Sequence, residues 1–395
     1  MTTEMRKRAL TMERVDTHSH FHGQDRELKD IAEEYVRFNP RFTCKSDNRI
    51  IAEGCRRLYG IDPGAYLRPD SPAGIFEKAA EFRAGGIESA FRKTLDICHI
   101  STQLIFTNFT PQDSPLLWGM APRVRALAYI DDLICGEPRV YSTDGKRQDF
   151  CYYDSICNHL GPLDDLDDYL AKMDGVIDTW CENGVVGMKT ALAYSVGLKF
   201  SDPAQSDARE AFAKKKSMSH ADTRLVQDFA FRHALEACRR HDLPVLIHTG
   251  AFAWGRSPLE QGNPMLLHDI LTAEKYRDVT FVLLHGGLPS YVGETTYLAG
   301  ICPNVIIDFT AAPWCFRSRF AQALGEWIEW IPDNRFCFGS DSTSIETIAG
   351  ADIVSREAIA DVLEHLVEKR ITDEAAALDF LELTYLETPK RIFGL

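Results

Sequence analysis

The sequence predicts a (β/α)8 barrel, the TIM-barrel architecture, and three observations carry that expectation. Eight short runs rich in Val, Ile, Leu and Phe alternate with stretches of helical spacing along the 395 residues. Most of these runs are apolar throughout, as strands buried on both faces of a parallel sheet are. No Gly-x-Gly-x-x-Gly opens any helix, so the competing doubly wound sheet lacks its usual nucleotide turn. A barrel of ~250 residues with insertions matches the length.

The first strand is Val15-Asp16-Thr17-His18-Ser19-His20, an apolar lead-in followed by His-x-His. Helical spacing then runs over Arg26–Tyr35, Arg49–Tyr59 and Phe76–Leu95 before the second strand at Thr102–Thr107. About eighty residues separate the two strands, far beyond an ordinary βα connection. Residues 21–100 therefore read as a helical insertion. The third strand, Val124–Ile130, is followed by an irregular insertion at about 135–163 and a helix at Leu166–Cys181. The turn Glu182-Asn183-Gly184 opens the fourth strand, Val185–Thr190.

A loop and charged helical segment cover about 201–224, and a helix runs over Leu225–Arg240. Strands five to eight are Pro244–Gly250, Thr280–Gly287, Asn304–Thr310 and Arg335–Ser342, with helices such as Arg319–Glu329 between them and Arg356–Lys369 after the last. No repeat, low-complexity tract or linker interrupts the series, so residues 1–395 read as one domain. Its insertions leave the C-terminal ends of strands one and three and are expected to cover that face as a lid.

Composition narrows the function. Hydrophobic content of 45% and charged content of 26% describe a soluble globular chain. A net charge of −14 without a long Lys/Arg stripe argues against nucleic acid as a partner. No apolar run reaches membrane-span length, and Met1–Arg8 carries charge without an apolar segment behind it. Eleven cysteines with no Cys-x-x-Cys pair suggest reduced thiols and a cytoplasmic setting. A small-molecule substrate is the expected partner, with room for a homo-oligomer.

The polar residues are informative by position. Run after run ends in a metal-capable or ionisable side chain: His18 and His20 on strand one, Lys189 on four, His248 on five, His285 on six and Asp341 on eight. Strand side chains alternate faces, so His18 and His20 point the same way. In a barrel all these tips share one rim, where active sites lie. Neutral imidazoles plus a carboxylate suit Zn²⁺, and also Mn²⁺ or Fe²⁺. Tyr194, Trp254 and Arg256 follow strands four and five, and Arg317 follows strand seven; these are candidate substrate contacts. Asp308, within strand seven, reads as a supporting or core-satisfied carboxylate.

These residues resemble the amidohydrolase superfamily, and more narrowly its second large branch. That branch holds hydrolases, metal-dependent decarboxylases related to aminocarboxymuconate semialdehyde decarboxylase and, more distantly, uronate isomerase. The resemblance runs over nearly the whole chain, from Asp16-Thr17-His18-Ser19-His20 through Gly187-Met188-Lys189, Ile247-His248-Thr249-Gly250 and Leu284-His285-Gly286-Gly287 to Gly339-Ser340-Asp341-Ser342 and the ending Pro389–Leu395. Met188–Tyr194 is also similar to the amidohydrolase-like halves of glutamine-synthetase-like fusions.

The resemblance implies that His18, His20, His248 and Asp341 ligate one or two divalent ions, with Asp341 as the general base. His285 either binds a second ion or polarises the substrate. Lys189 is either carboxylated and bridging, as in binuclear members, or a plain ammonium that binds a substrate carboxylate. The implied reaction is hydrolysis of a C–N or ester/lactone bond in a small polar, carboxylate-bearing molecule by a metal-activated water. Non-oxidative decarboxylation and sugar-acid isomerisation are the alternatives.

Overall fold

The eight apolar runs become eight parallel strands in a computed structural model that describes residues 4–21, 23, 26–37, 45–107, 120–134, 151–250 and 258–395. They are β1 (Arg14–Ser19), β2 (Ile100–Thr107), β3 (Val124–Tyr129), β4 (Val185–Thr190), β5 (Val245–His248), β6 (Phe281–Leu284), β7 (Val305–Asp308) and β8 (Phe336–Cys337). Each strand pairs with the next in sequence order. β8 is two residues long as a regular strand, and beyond Cys337 the chain bonds to β1. Thr17 N donates to Phe338 O at 2.9 Å, Asp341 N to His18 O at 2.8 Å and His20 N to Ser342 O at 2.8 Å. Those bonds close the barrel.

Alternation then divides the side chains. Leu104, Phe106, Leu127, Leu246, Val282, Leu284, Ile306 and Cys337 fill the interior, joined by Ile392 and Phe393 of the C-terminal helix Thr388–Phe393. Ile105, Ala128, Ile247, Leu283 and Ile307 face the surrounding helices. Each fully buried Leu, Ile or Phe is worth ~1.5–3 kcal/mol relative to exposure, so both layers stabilise the closed sheet.

α1 (Glu4–Thr11) precedes β1, and among the described residues four helices lie between β1 and β2: α2 (Leu28–Arg37), α3 (Lys45–Tyr59), α4 (Ala73–Arg83) and α5 (Ile87–Ile97). The single helix expected over Phe76–Leu95 is two, split at Gly85-Gly86, where Gly86 adopts φ 85°. α5 packs on β2 and serves as the ordinary barrel helix of the first unit.

The long helix after β8, Ile345–Glu368, starts well before the expected Arg356. α3 crosses its first half so closely that a Cβ on Gly54 would lie 1.9 Å from Glu346 O, and one on Gly350 1.7 Å from Ile50 O. Tyr59 and Arg83 both bond the buried Glu346 carboxylate, at 2.5 and 2.6 Å. Ile50 packs with Ala311 and Trp314 beyond β7. The described part of the insertion thus packs on the segments that follow β7 and β8, while Arg57 of α3 also pairs with Asp352 and donates to Ile97 O at 2.9 Å, near the start of β2. Of the second insertion, residues 135–150 lie outside the described residues; Tyr152 anchors the helix that follows by donating to Ile134 O at 3.0 Å.

Gly350→Ala is expected to destabilise the chain by about 1–3 kcal/mol or more, because backbone must move to admit the methyl group. An unchanged urea midpoint and slope would show that this crossing is looser than described.

Candidate metal centre

β1 ends by presenting two imidazoles to the interior of the rim, and β8 ends by presenting a carboxylate to the same point. His18 Nε2 and His20 Nε2 lie 3.1 Å apart. Asp341 Oδ1 lies 3.3 Å from each. Tetrahedral coordination at ~2.0–2.1 Å per ligand places ligand atoms about 3.3 Å apart. The triangle therefore has the dimensions of one face of such a site. Among the described residues, His18, His20 and Asp341 form the group of His, Cys, Asp and Glu side chains that could hold an ion.

The backbone aims these groups. Asp341 has φ 57° and His285 φ 66°, left-handed values uncommon for residues with a Cβ. Gly339 makes the approach of β8 to β1 possible, since a Cβ there would lie 2.5 Å from His18 Cβ and 2.2 Å from Thr310 Oγ1.

A second pair stands beside the first. His285 Nδ1 donates to Thr310 O at 2.8 Å, which leaves Nε2 as a lone-pair atom facing the site. That Nε2 lies 3.0 Å from His248 Nδ1, which also meets the Tyr194 hydroxyl at 3.0 Å. The His18 and His285 rings are 6.0 Å apart between centroids. Lys189 Nζ reaches His18 Nε2 at 3.1 Å and lies 4.5 Å from the centre of the Phe106 ring.

Electrostatics prepare these groups as ligands. Burial, and then the Lys189 charge, hold His18 well below the usual histidine range. Burial, then His285 and Lys189, do the same to His248. Burial lowers His285 to about 4, with Asp341 opposing. All three imidazoles are neutral at pH 7, as coordination requires. Burial works against ionisation of Asp341, but His18 and His20 outweigh it and hold its carboxyl well below the usual range. Burial, reinforced by Asp341, pushes the Tyr194 hydroxyl well above its ordinary value, so it stays protonated.

The structure thus brings together His18, His20, Lys189, Tyr194, His248, His285 and Asp341. Trp254 and Arg256 lie outside the described residues. Arg317 is not brought to the site. After β7 the chain first turns through the short helix Ala312–Cys315, and Arg317 then opens the outer helix Arg317–Trp330. There it pairs with Asp361 at 2.8 Å on the helix surface. Asp308 is held in the core by Thr17, Thr310 N and the Thr310 hydroxyl.

Three supporting residues were not singled out in the sequence. Phe106 and Tyr129, at the tips of β2 and β3, wall the site beside His20. Asp16 lies beneath His18, and its place two residues before His18 on an alternating strand was the available signal.

A profile of the amidohydrolase family matches residues 177–395. The chain belongs to the amidohydrolase family. The matched stretch carries Lys189, His248, His285 and Asp341, while His18 and His20 of this amidohydrolase lie before it and join the site through the fold. No curated protein matches the sequence.

Solved structures share the fold over nearly the full length. A protein described as a metal-dependent hydrolase from Lactobacillus casei has a TM-score of 0.73 at 18% identity, covering 100% of this chain and 98% of its own. A uronate isomerase from Thermotoga maritima gives 0.69 at 12%, covering 99% and 97%. A glucuronate isomerase from Caulobacter crescentus gives 0.71 at 13%, covering 99% and 93%. Among the described residues, no helix is long and apolar enough to cross a membrane.

Proposed function

We propose that this amidohydrolase is a metal-dependent hydrolase of a C–N or ester/lactone bond in a small polar, carboxylate-bearing substrate, working in the cytoplasm. The observation that carries the reading is the His18–His20–Asp341 triangle, whose edges of 3.1–3.3 Å fit an ion. Zn²⁺ suits its two imidazoles and carboxylate best, and Mn²⁺ or Fe²⁺ also match. His248 and His285 would hold a second ion or extend the first site. A bound divalent ion supplies Lewis acidity and a water acidified toward a pKa of ~7.

The chain's own groups supply the rest. Asp341, ionised and 22% exposed at its side chain, accepts a proton and returns it to the leaving group. Tyr194, protonated, donates a hydrogen bond to substrate or to His248. Lys189 holds a substrate carboxylate as an ammonium, or, if carboxylated, would serve as a further metal ligand. Phe106 and Tyr129 press on the same space and exclude water.

Metal content tests the proposal. The purified chain should carry close to one or two equivalents of a transition metal after reconstitution, and His20→Ala should lose that uptake because the His18–His20–Asp341 triangle loses a corner. Less than ~0.2 equivalents in wild type would sink the reading. A substrate panel of lactones, N-acyl amino acids, unsaturated carboxylic acids and uronates then separates the reactions. Turnover of uronates alone would replace hydrolysis with isomerisation, the activity named for two of the structural neighbours.

A further inference from the structure

We infer that Asp16 is a positioning residue that sets the geometry of both metal-binding strand ends, β1 and β8, by accepting the backbone N–H groups beside two ligands. The inference rests on the metal reading above. Asp16 is fully buried in β1. Its Oδ1 accepts from Ser340 N at 2.8 Å and from His18 N at 3.3 Å. Its Oδ2 accepts from Gln103 Nε2 at 2.6 Å. One carboxylate therefore joins β1, β2 and the end of β8.

The position of Ser340 gives this junction its consequence. Ser340 immediately precedes Asp341, whose φ of 57° is a left-handed conformation uncommon for a residue with a Cβ. Asp16 holds the peptide that enters Ser340, and the bond from Asp341 N to His18 O, at 2.8 Å, holds the next one, so two successive peptides leading into Asp341 are fixed. Released from Asp16, the strand end can relax toward extended backbone and swing the Asp341 carboxylate off the His18–His20 pair. The same oxygen restrains the His18 backbone, so both sides of the triangle depend on one acceptor.

Geometry rather than charge does this. The donors to Asp16 are neutral: three N–H groups and the Ser340 hydroxyl. An amide oxygen in place of Oδ1 can serve the same two backbone donors. Gln103 Oε1 is buried without a hydrogen-bond partner among the described residues. A rotated Gln103 amide can therefore accept from the new N–H that Asp16→Asn introduces.

The test measures Zn²⁺ affinity of the full chain by chelator competition, with Co²⁺ absorption reporting ligand geometry. The thermal transition of metal-free protein reads general damage separately. Asp16→Ala is expected to weaken Zn²⁺ binding ~10–100-fold and to change the Co²⁺ spectrum. Asp16→Asn should stay within about threefold of wild type, outside that range. Equal affinity of Asp16→Ala and wild type overturns the inference and leaves the metal reading intact. Wild type that takes up no metal overturns the reading and the inference with it. A loss in Asp16→Asn as large as in Asp16→Ala shows that charge, not placement, is required, and also overturns it. If Asp16→Ala does not fold, Asp16→Asn carries the test alone: near-wild-type affinity supports the inference and the full loss refutes it.

Discussion

Asp341→Asn is expected to fold, retain part of its metal and lose ~10²–10⁴-fold in turnover, the usual cost of removing a general base. The carboxylate faces both imidazoles at 3.3 Å, yet keeps 22% of its side chain exposed, so it can meet a ligand and a substrate at once. His18 and His20 keep it ionised at neutral pH despite burial. Asparagine preserves the size and one oxygen toward the pair but cannot accept a proton. The measurement is kcat/KM on a substrate from the panel, alongside metal content. Normal occupancy with activity within about threefold of wild type, well short of that loss, would place the proton elsewhere. His285, neutral and 3.0 Å from His248, is the next candidate.

Asp352→Ala should cost about 3–5 kcal/mol of stability, because it strips the counter-charge from buried arginines. Asp352 lies in the helix Ile345–Glu368 with none of its side chain exposed, and it pairs with Arg14, Arg57 and Arg356. Arg356 also donates to Ala9 O at 3.0 Å, Met12 O at 2.8 Å and Cys98 O at 3.0 Å. The cluster therefore binds α1, the start of β1, the end of α5 and the last barrel helix into one unit.

Burial opposes the Asp352 charge, but Arg14, Arg356 and Arg57 outweigh it and bring the carboxyl from 3.8 down to about 2. A folded value below the unfolded one means the stabilisation is complete above pH 3.8 and is lost as pH falls toward 2. That drop amounts to roughly 2 kcal/mol. Urea unfolding at pH 7 and near pH 3 checks both parts. Wild type should lose stability between the two, and Asp352→Ala should lose less over the same interval. A variant as stable as wild type at pH 7 would show that water or rearrangement compensates the arginines.

What the sequence determined by itself was the strand series and the ligand series. β4 falls on the expected Val185–Thr190, and the other strands lie within their apolar runs or begin within two residues of them. His18 and His20 converge because alternation on a strand is a local property, and tips of parallel barrel strands share a rim whatever the loops do.

Tertiary structure decided what local pattern does not encode. Val186 faces the barrel interior and Met188 the helices. Lys189 nevertheless reaches His18, because the β3–β4 register shifts between Ala126 and Ala128. The helix after β8 begins at Ile345 although Glu346, Gly350 and Asp352 interrupt its apolar spacing. Those residues are buried against Tyr59, Ile50 and Arg14, each distant in sequence. Arg317 followed a strand yet ended on the outer surface, while Asp16 passed as strand filler until Ser340 and Gln103 closed around it. A buried charge is stable only beside its partner, and when that partner lies hundreds of residues away, only the closed barrel brings the two together.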